Sequence, residues 1–383
     1  MALKLPIYLD NAATTPVDPR VVEAMLPYLT DHFGNPASGT HAFGRAARRA
    51  VEQARAEVAA LINADPARIV WTSGATESNN LALKGAAAAN AERGRHLVTL
   101  STEHKAELDT MHELERRGFS VTFLAPEKTG LVDPEKFRAA LKPDTIAASV
   151  MLVNNEIGVI QDIAEIGAMC RERGILFHVD AAQATGKVEI DLKTLPVDLM
   201  SLTAHKTYGP KGIGALYVKG GVEIEEQMHG GGHEHGMRSG TLATHQIAGI
   251  GAAFRIAREE MAAEVPRMRR LRDRLWAGLR DVPELTINGD IEQRIANNLN
   301  LTLALPGAEA VLAALTDIAI SSTAACDSGG VSHVLLSLGP EAARAGAALR
   351  ISVGRFNTEE EIDHAVHHLR GRIADCRAGR LAA

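Results

Sequence analysis

The sequence predicts an α/β protein with a mostly parallel seven-stranded sheet and a smaller C-terminal α/β domain. Three observations carry this. Seven short segments rich in β-branched and apolar residues (68–72, 96–101, 120–124, 145–153, 175–179, 199–203 and 214–218) alternate with helical patterns, the order that βα units impose. Residues 242–280 then read as long helical sequence, and beyond it the order of elements changes. The 383 residues are enough for two domains with sizeable cores.

Each element has its own signal. The helix predicted over 45–62 places Val51, Ala54, Val58 and Leu61 at helical spacing. Inside 242–280, Pro266 predicts a kink or break, because proline lacks the N–H the helix needs and crowds the preceding turn. The C-terminal domain is read as strands near 285–288, 298–303, 318–322 and 349–352 with helices over 308–317 and 359–376. The division expected is a large domain over 15–260 and a small one from 1–14 and 261–383, with 242–265 as the boundary helix. There is no internal repeat, and Ala-rich 85–90 is the one biased stretch.

Composition narrows the classes. Hydrophobic content of 46% and charge of 23% are those of a folded globular chain. A net charge of -6, from 41 basic and 47 acidic residues, gives no global positive field for direct nucleic-acid binding. No apolar run has the length of a membrane span, and the N-terminus lacks the apolar core and cleavage site of a secretory signal. Three scattered cysteines, Cys170, Cys326 and Cys376, make neither a disulfide framework nor a zinc cluster. A reducing cytoplasmic location is expected.

Thr203-Ala-His205-Lys206-Thr-Tyr-Gly-Pro-Lys211-Gly212 presents a lysine just beyond an apolar strand, among hydroxyls and an imidazole. Twenty-six residues earlier, His178-Val-Asp180 puts a carboxylate at another strand's end. A lysine that condenses with an aldehyde, and a carboxylate that keeps a pyridine nitrogen protonated, are what pyridoxal 5'-phosphate (PLP) requires. Trp71-Thr-Ser-Gly-Ala75-Thr76-Glu77 follows a strand and opens a helix, so small residues, free N–H groups and the Thr76 hydroxyl suit a phosphate. Alone it reads equally well as an N-cap cluster. Asn155, just beyond the apolar run ending at Val153, and Gln183 are candidate cofactor or substrate contacts, and either alone is more often an ordinary loop amide. His104, in Thr-Glu-His-Lys, suits acid/base work near neutral pH, against the plainer reading of a satisfied surface histidine. Lys105 is the competing aldehyde-binding lysine; Lys206 is preferred for the glycine-rich run behind it. Gly230-Gly-Gly-His233-Glu-His235-Gly with His229 lacks metal-site spacing, and no metal is expected at the site.

The chain resembles the cysteine desulfurases of the NifS/IscS type, fold-type-I PLP enzymes related to class-V aminotransferases, over essentially residues 5–376. The matching segments include Tyr8-Leu-Asp-Asn-Ala-Ala-Thr-Thr15, Phe33-Gly-Asn-Pro-Ala-Ser38, Thr72-Ser-Gly-Ala-Thr-Glu77, Asn154-Asn-Glu-Ile-Gly158, His178-Val-Asp-Ala-Ala-Gln183, Gly236-Met-Arg-Ser-Gly-Thr241 and Ser321-Ser-Thr-Ala-Ala-Cys326. The resemblance implies Lys206 as the Schiff-base lysine, Asp180 as the pyridinium partner and Gln183 at the ring oxygen. It implies Ala75, Thr76, Thr203 and His205 at the phosphate and His104 as the stacked acid/base. Asn155 is then a cofactor and substrate contact, and Arg350 the clamp on the substrate carboxylate. Thr241 is implied to reach the phosphate of the opposite subunit of a homodimer with shared active sites. Cys326 is implied as the nucleophile that takes sulfur from L-cysteine as a persulfide, leaving alanine, although a lone cysteine is more often a small buried hydrophobe. The sulfur then passes to an acceptor protein for iron–sulfur cluster assembly or for thiolation of tRNA or other molecules. Against that resemblance the Cys326 loop reads as two residues shorter than housekeeping relatives usually carry, and their extended tail is expected to be missing, both of which bear on persulfide delivery. The alternatives are a selenocysteine lyase or another fold-type-I PLP enzyme, and a docking subunit with a decayed site.

Overall fold

A computed structural model describes residues 3–322, 332–339 and 347–381. Its main sheet has the strands β2 (Ile69–Thr72), β3 (His96–Leu100), β4 (Ser120–Leu124), β5 (Thr145–Met151), β6 (Leu176–Asp180), β7 (Leu199–Thr203) and β8 (Gly214–Val218), in the order β2-β8-β7-β6-β5-β3-β4. All seven lie within about two residues of the predicted segments. Only β8 runs antiparallel to its neighbours. The other pairings are parallel, as connecting helices such as Ala75–Ala89, Lys105–Arg116 and Ile163–Glu172 require. The central strands are buried throughout, which explains their continuous apolar runs.

A second sheet joins β9 (Leu285–Ile287), β10 (Asn298–Leu303), β12 (Ser321–Ser322) and β13 (Ala347–Ser352). A separate parallel ribbon pairs β1 (Ile7–Tyr8) with β11 (Ile318–Ala319). The single strand expected over 318–322 is therefore two. The chain changes partners at Ile320, from Ile7–Tyr8 on one side to Leu349 and Arg350 on the other. The helix expected over 308–317 is likewise shorter, Ala308–Ala313, because the chain must turn before Asp317 to bring Ile318 beside Ile7.

The expected break at Pro266 does not end its helix, which runs continuously from Thr244 to Ala277. Packing outweighs the roughly 3 kcal/mol an interior proline costs. The first half buries Ile247, Ile250 and Phe254 in the core under the large sheet, and the second half buries Met268, Leu271 and Leu275 against the second sheet.

Two buried polar clusters hold the large sheet near its C-terminal end. At the β2 edge, Glu234 accepts the Trp71 N–H at 2.8 Å and takes Arg55 in a two-pronged pair at 2.8 and 3.0 Å. Arg55 also donates to the Ile69 carbonyl at 2.6 Å and lies over the Trp71 ring. The exposed edge of a sheet is thereby closed by a side chain from the glycine-rich loop, and the loop is tied down in return. The second cluster crosses three strands. His178 on β6 contacts Ser149 Oγ on β5 at 2.6 Å and Ser201 Oγ on β7 at 2.9 Å. Burial holds His178 neutral, lowering its pKa to about 4. Beside it Glu103 accepts the Met151 N–H at 2.8 Å and Glu107 accepts the Thr99 hydroxyl at 3.0 Å. Burial raises both carboxyls, helped for each by a nearby acid: Glu107 to about 7 and Glu103 well above the ordinary range.

Glu234→Ala should destabilise the protein by about 3–5 kcal/mol in urea unfolding, since it strands the Arg55 guanidinium in the interior. An unchanged midpoint would remove this pair from the account. Because Glu107 holds its proton above the unfolded value near 4.3, the native state binds more protons than the unfolded state between about pH 4.5 and 7. Stability should therefore fall as pH rises through that window. Glu107→Gln, which keeps the oxygen facing Thr99, should flatten the fall in melting temperature, and parallel curves for the two proteins would contradict this reading.

Candidate active site

The carboxyl ends of the parallel strands open onto a cavity of about 510 Å³, the place where open α/β sheets bind ligands. Of the predicted residues, Ala75, Thr76, His104, Asp180, Thr203, His205 and Lys206 line it. Asn155, Gln183, Thr241 and Arg350 do not, though the first two and Arg350 are buried nearby. Thr241 is exposed. Lys105, the competing lysine, is also exposed and lies outside the cavity lining. Cys326 lies outside the described residues.

Asp180 ends β6 and is 2% exposed. Its two oxygens are fixed separately, Oδ2 by the Asn79 amide at 2.7 Å and Oδ1 by the Ala182 N–H at 2.8 Å. Asn79 comes from the helix Ala75–Ala89, whose start also faces the cavity. Gly74 caps that helix with φ near +152°, a conformation that favours glycine, and has no side chain to occupy the first-turn N–H groups. The Thr203 hydroxyl is buried and has no hydrogen-bond partner among the described residues. Burial, with Lys206 and Lys211 nearby, lowers the His205 pKa to about 4, so the ring stays neutral.

The turn bearing Lys206 is strapped from both sides. Thr15 donates its N–H and its hydroxyl to the His205 carbonyl, at 2.8 and 3.0 Å, and accepts the Tyr208 N–H at 2.9 Å. Lys187, 7% exposed, donates to the Lys206 carbonyl at 2.8 Å. Burial and the charge of Lys206 lower the Lys187 pKa to about 7. Tyr208 itself takes a left-handed φ of 60°. These straps explain why the N-terminal segment around Thr14 and Thr15 belongs to the site.

His104 caps the helix Lys105–Arg116 by accepting the Ala106 N–H on Nδ1 at 3.1 Å. That bond places the hydrogen of the neutral ring on Nε2. Burial, followed by the charge of Lys206, lowers its pKa and supports the neutral form. To take a proton at Nε2 the ring must release Ala106, so in this conformation it is a donor or a stacking surface.

Arg350, on β13, donates to the Asn155 carbonyl, Asp10 and Ser321, each at 3.0 Å. Gln183 donates to the Ala12 carbonyl at 2.8 Å. Segment 323–331, which contains Cys326, is flanked by described residues that touch these groups: Ser321 meets Arg350, and His333 bonds the Glu103 carbonyl at 2.9 Å. Sequence reasoning missed Asn79, Lys187, Glu103 and Glu107. Asn79 was legible as the residue one helical turn after Thr76, but the lysine and acids showed no pattern that separates them from surface charge.

The donor set fits PLP. A buried hydroxyl without a partner among the described residues, a helix N-terminus without a side-chain cap, and Lys211 suit a phosphate, Lys206 suits an aldehyde, and a rigid buried carboxylate suits a protonated ring nitrogen.

Residues 7–365 match the family model described as aminotransferase class-V. A relative from Methylobacillus flagellatus named cysteine desulfurase IscS is 62% identical, covering 98% of this chain and 94% of the relative. One of the same name from Methylococcus capsulatus is also 62% identical with the same coverage. Among solved structures, a NifS-like protein superposes with a TM-score of 0.90 at 35% identity, covering 97% of this chain and all of the other. SspA in complex with cysteine matches with a TM-score of 0.81 at 37% identity, over 92% of this chain and 100% of that one. DndA from Streptomyces lividans matches with a TM-score of 0.78 at 41% identity, over 90% and 99%. The chain therefore belongs to the class-V aminotransferase family, within its group of cysteine desulfurases.

Proposed function

We propose that this chain is a PLP-dependent cysteine desulfurase that converts L-cysteine to L-alanine and holds the sulfur as a persulfide on Cys326. The observation that carries the reading is the meeting of Lys206, Asp180 and the unpartnered Thr203 hydroxyl in one cavity, in a chain 62% identical to named desulfurases. When bound, PLP supplies an electron sink that weakens bonds at the substrate's α-carbon. Lys206 provides the attachment amine, held in register by Thr15 and Lys187. Asp180 holds a proton on the ring nitrogen, and the bonds from Asn79 and Ala182 keep it from turning away. Ala75, Thr76, Thr203 and His205 bind the phosphate, with Gln183 and Asn155 as further contacts. Arg350 binds the substrate carboxylate, exchanging its existing ion pair with Asp10 for an equivalent charge-assisted pair with the substrate.

In the net reaction the C–S bond of L-cysteine breaks, an S–S bond forms on Cys326, and the carbon takes up a proton. Carbon is reduced as sulfur is oxidised, so no external oxidant enters. The other cysteines suit this role poorly. Cys170 is buried, and burial pushes its thiol up to about 12, while Cys376 lies against the Pro306 and Gly307 carbonyls. Homodimerisation with shared sites is part of the proposal. It is supported by the exposed apolar side chains Leu26, Leu29, Phe33 and Phe43, and by Thr241 lying outside the cavity of its own chain. The sulfur acceptor is a protein that builds iron–sulfur clusters or thiolates RNA or other molecules. No helix among the described residues is long and apolar enough to cross a membrane, and a cytoplasmic location is proposed.

Incubation of the PLP-loaded enzyme with L-cysteine should add the mass of one sulfur atom to the Cys326 peptide and release alanine. Cys326→Ser should retain the cofactor's visible absorbance yet carry no added sulfur. Alanine formed at the wild-type rate by this variant, or sulfur found on Cys170 or Cys376 instead, would overturn the assignment.

A further inference from the structure

A second ligand set lies away from the cavity. Asp317, His364 and His368 bring a carboxylate oxygen and two ring nitrogens within 4.8 Å of one another, and none of the three lines the cavity. Asp317 Oδ2 is 3.2 Å from His364 Nε2 and 3.7 Å from His368 Nδ1. Donors about 2.0–2.2 Å from a tetrahedral metal stand roughly 3.3–3.5 Å apart, which the two Asp317 spacings nearly match, while the two histidine nitrogens lie within 4.8 Å of each other. The platform is rigid. The histidines are four residues apart on the helix Glu359–Arg377, which begins with a capping box from Thr358 and Glu361. Asp317 is fixed by its own carbonyl, which accepts the Ile7 N–H at 2.8 Å, and by Thr316, whose hydroxyl bonds Oδ1 and leaves Oδ2 toward the histidines. All three residues are partly exposed, so an ion can enter.

We propose that Asp317, His364 and His368 form a binding site for a divalent cation of the zinc class. Two imidazoles favour such ions over magnesium or calcium, which prefer all-oxygen sets. The site joins the C-terminal helix to the β1–β11 ribbon, whose second strand leads through Ser321 and Ser322 toward the Cys326 segment. It departs from the expectation of no metal because its ligands lie far apart in sequence. His229, His233 and His235 of the glycine-rich loop form no three-ligand cluster among the described residues. Affinity should be modest. A metal on His368 Nδ1 leaves the N–H on Nε2, which is buried without a partner among the described residues, and a missing outer hydrogen bond costs about 10–100-fold.

Equilibrium dialysis of the PLP-loaded enzyme against Zn²⁺ tests the proposal, with bound cofactor absorbance confirming that each variant is folded. The wild type should hold one Zn²⁺ per chain that His364→Ala and His368→Ala lose, and that Asp317→Asn, which keeps the side-chain size, binds at least about tenfold more weakly. His367→Ala, on the same helix but exposed, should keep it, and Mg²⁺ should not be retained. Zn²⁺ should also raise the melting temperature of the wild type but not of His368→Ala. Any zinc held by the Cys326 thiolate is identified separately by its loss in Cys326→Ser. Unchanged zinc binding in both histidine variants, or equal loss in His367→Ala, would overturn the site.

Discussion

The carbonyl and amide groups of the turn after β7 are satisfied by residues distant in sequence, and the position of Lys206 follows from that. Thr15 takes the His205 carbonyl and the Tyr208 amide, and Lys187 takes the Lys206 carbonyl. A left-handed Tyr208 would be strained in isolation, but here it is held by Thr15 and by a hydroxyl that accepts the Arg355 N–H at 2.6 Å. Arg355 in turn pairs with Asp18 and Glu264, so one ion network links the N-terminal segment, the long helix and the chain after β13 to the same turn. A lysine that must meet an aldehyde needs this over-determination, since its own stem has four rotatable bonds.

The charges around that lysine follow one logic. Asp180 is kept in place by two donors, while His178, His205 and His104 are all held toward neutrality by burial. The two acids behind Asp180, Glu103 and Glu107, are pushed toward their protonated forms. Fixed charge is thus concentrated on a few groups at the cavity, and the layer beneath it is polar but largely uncharged. A low-dielectric surrounding of this kind strengthens the interaction of Asp180 with a bound cation.

Much of this was legible in the sequence because it rests on local signals. The seven sheet strands were marked by β-branched runs, and Lys206, Asp180 and Thr76 each stand at a strand end or helix start, where side-chain types report on chemistry. What stayed hidden depends on distant contacts. Pro266 marked a break, yet two separate cores hold its helix through, and the run over 318–322 gave no sign that it changes sheets at Ile320. Lys187 and Glu107 look like surface charges, because nothing within a few residues of either records the burial imposed by the fold. The Asp317–His364–His368 set was invisible for the same reason.

The central claim is that this strapped turn makes Lys206, rather than any other amine, the attachment point of the cofactor. Reduction of the PLP-loaded enzyme with borohydride, followed by peptide mass mapping, tests it most directly. The cofactor's mass should appear on the peptide containing Lys206 and nowhere else. Its appearance on Lys187, Lys211 or Lys105 would contradict the account.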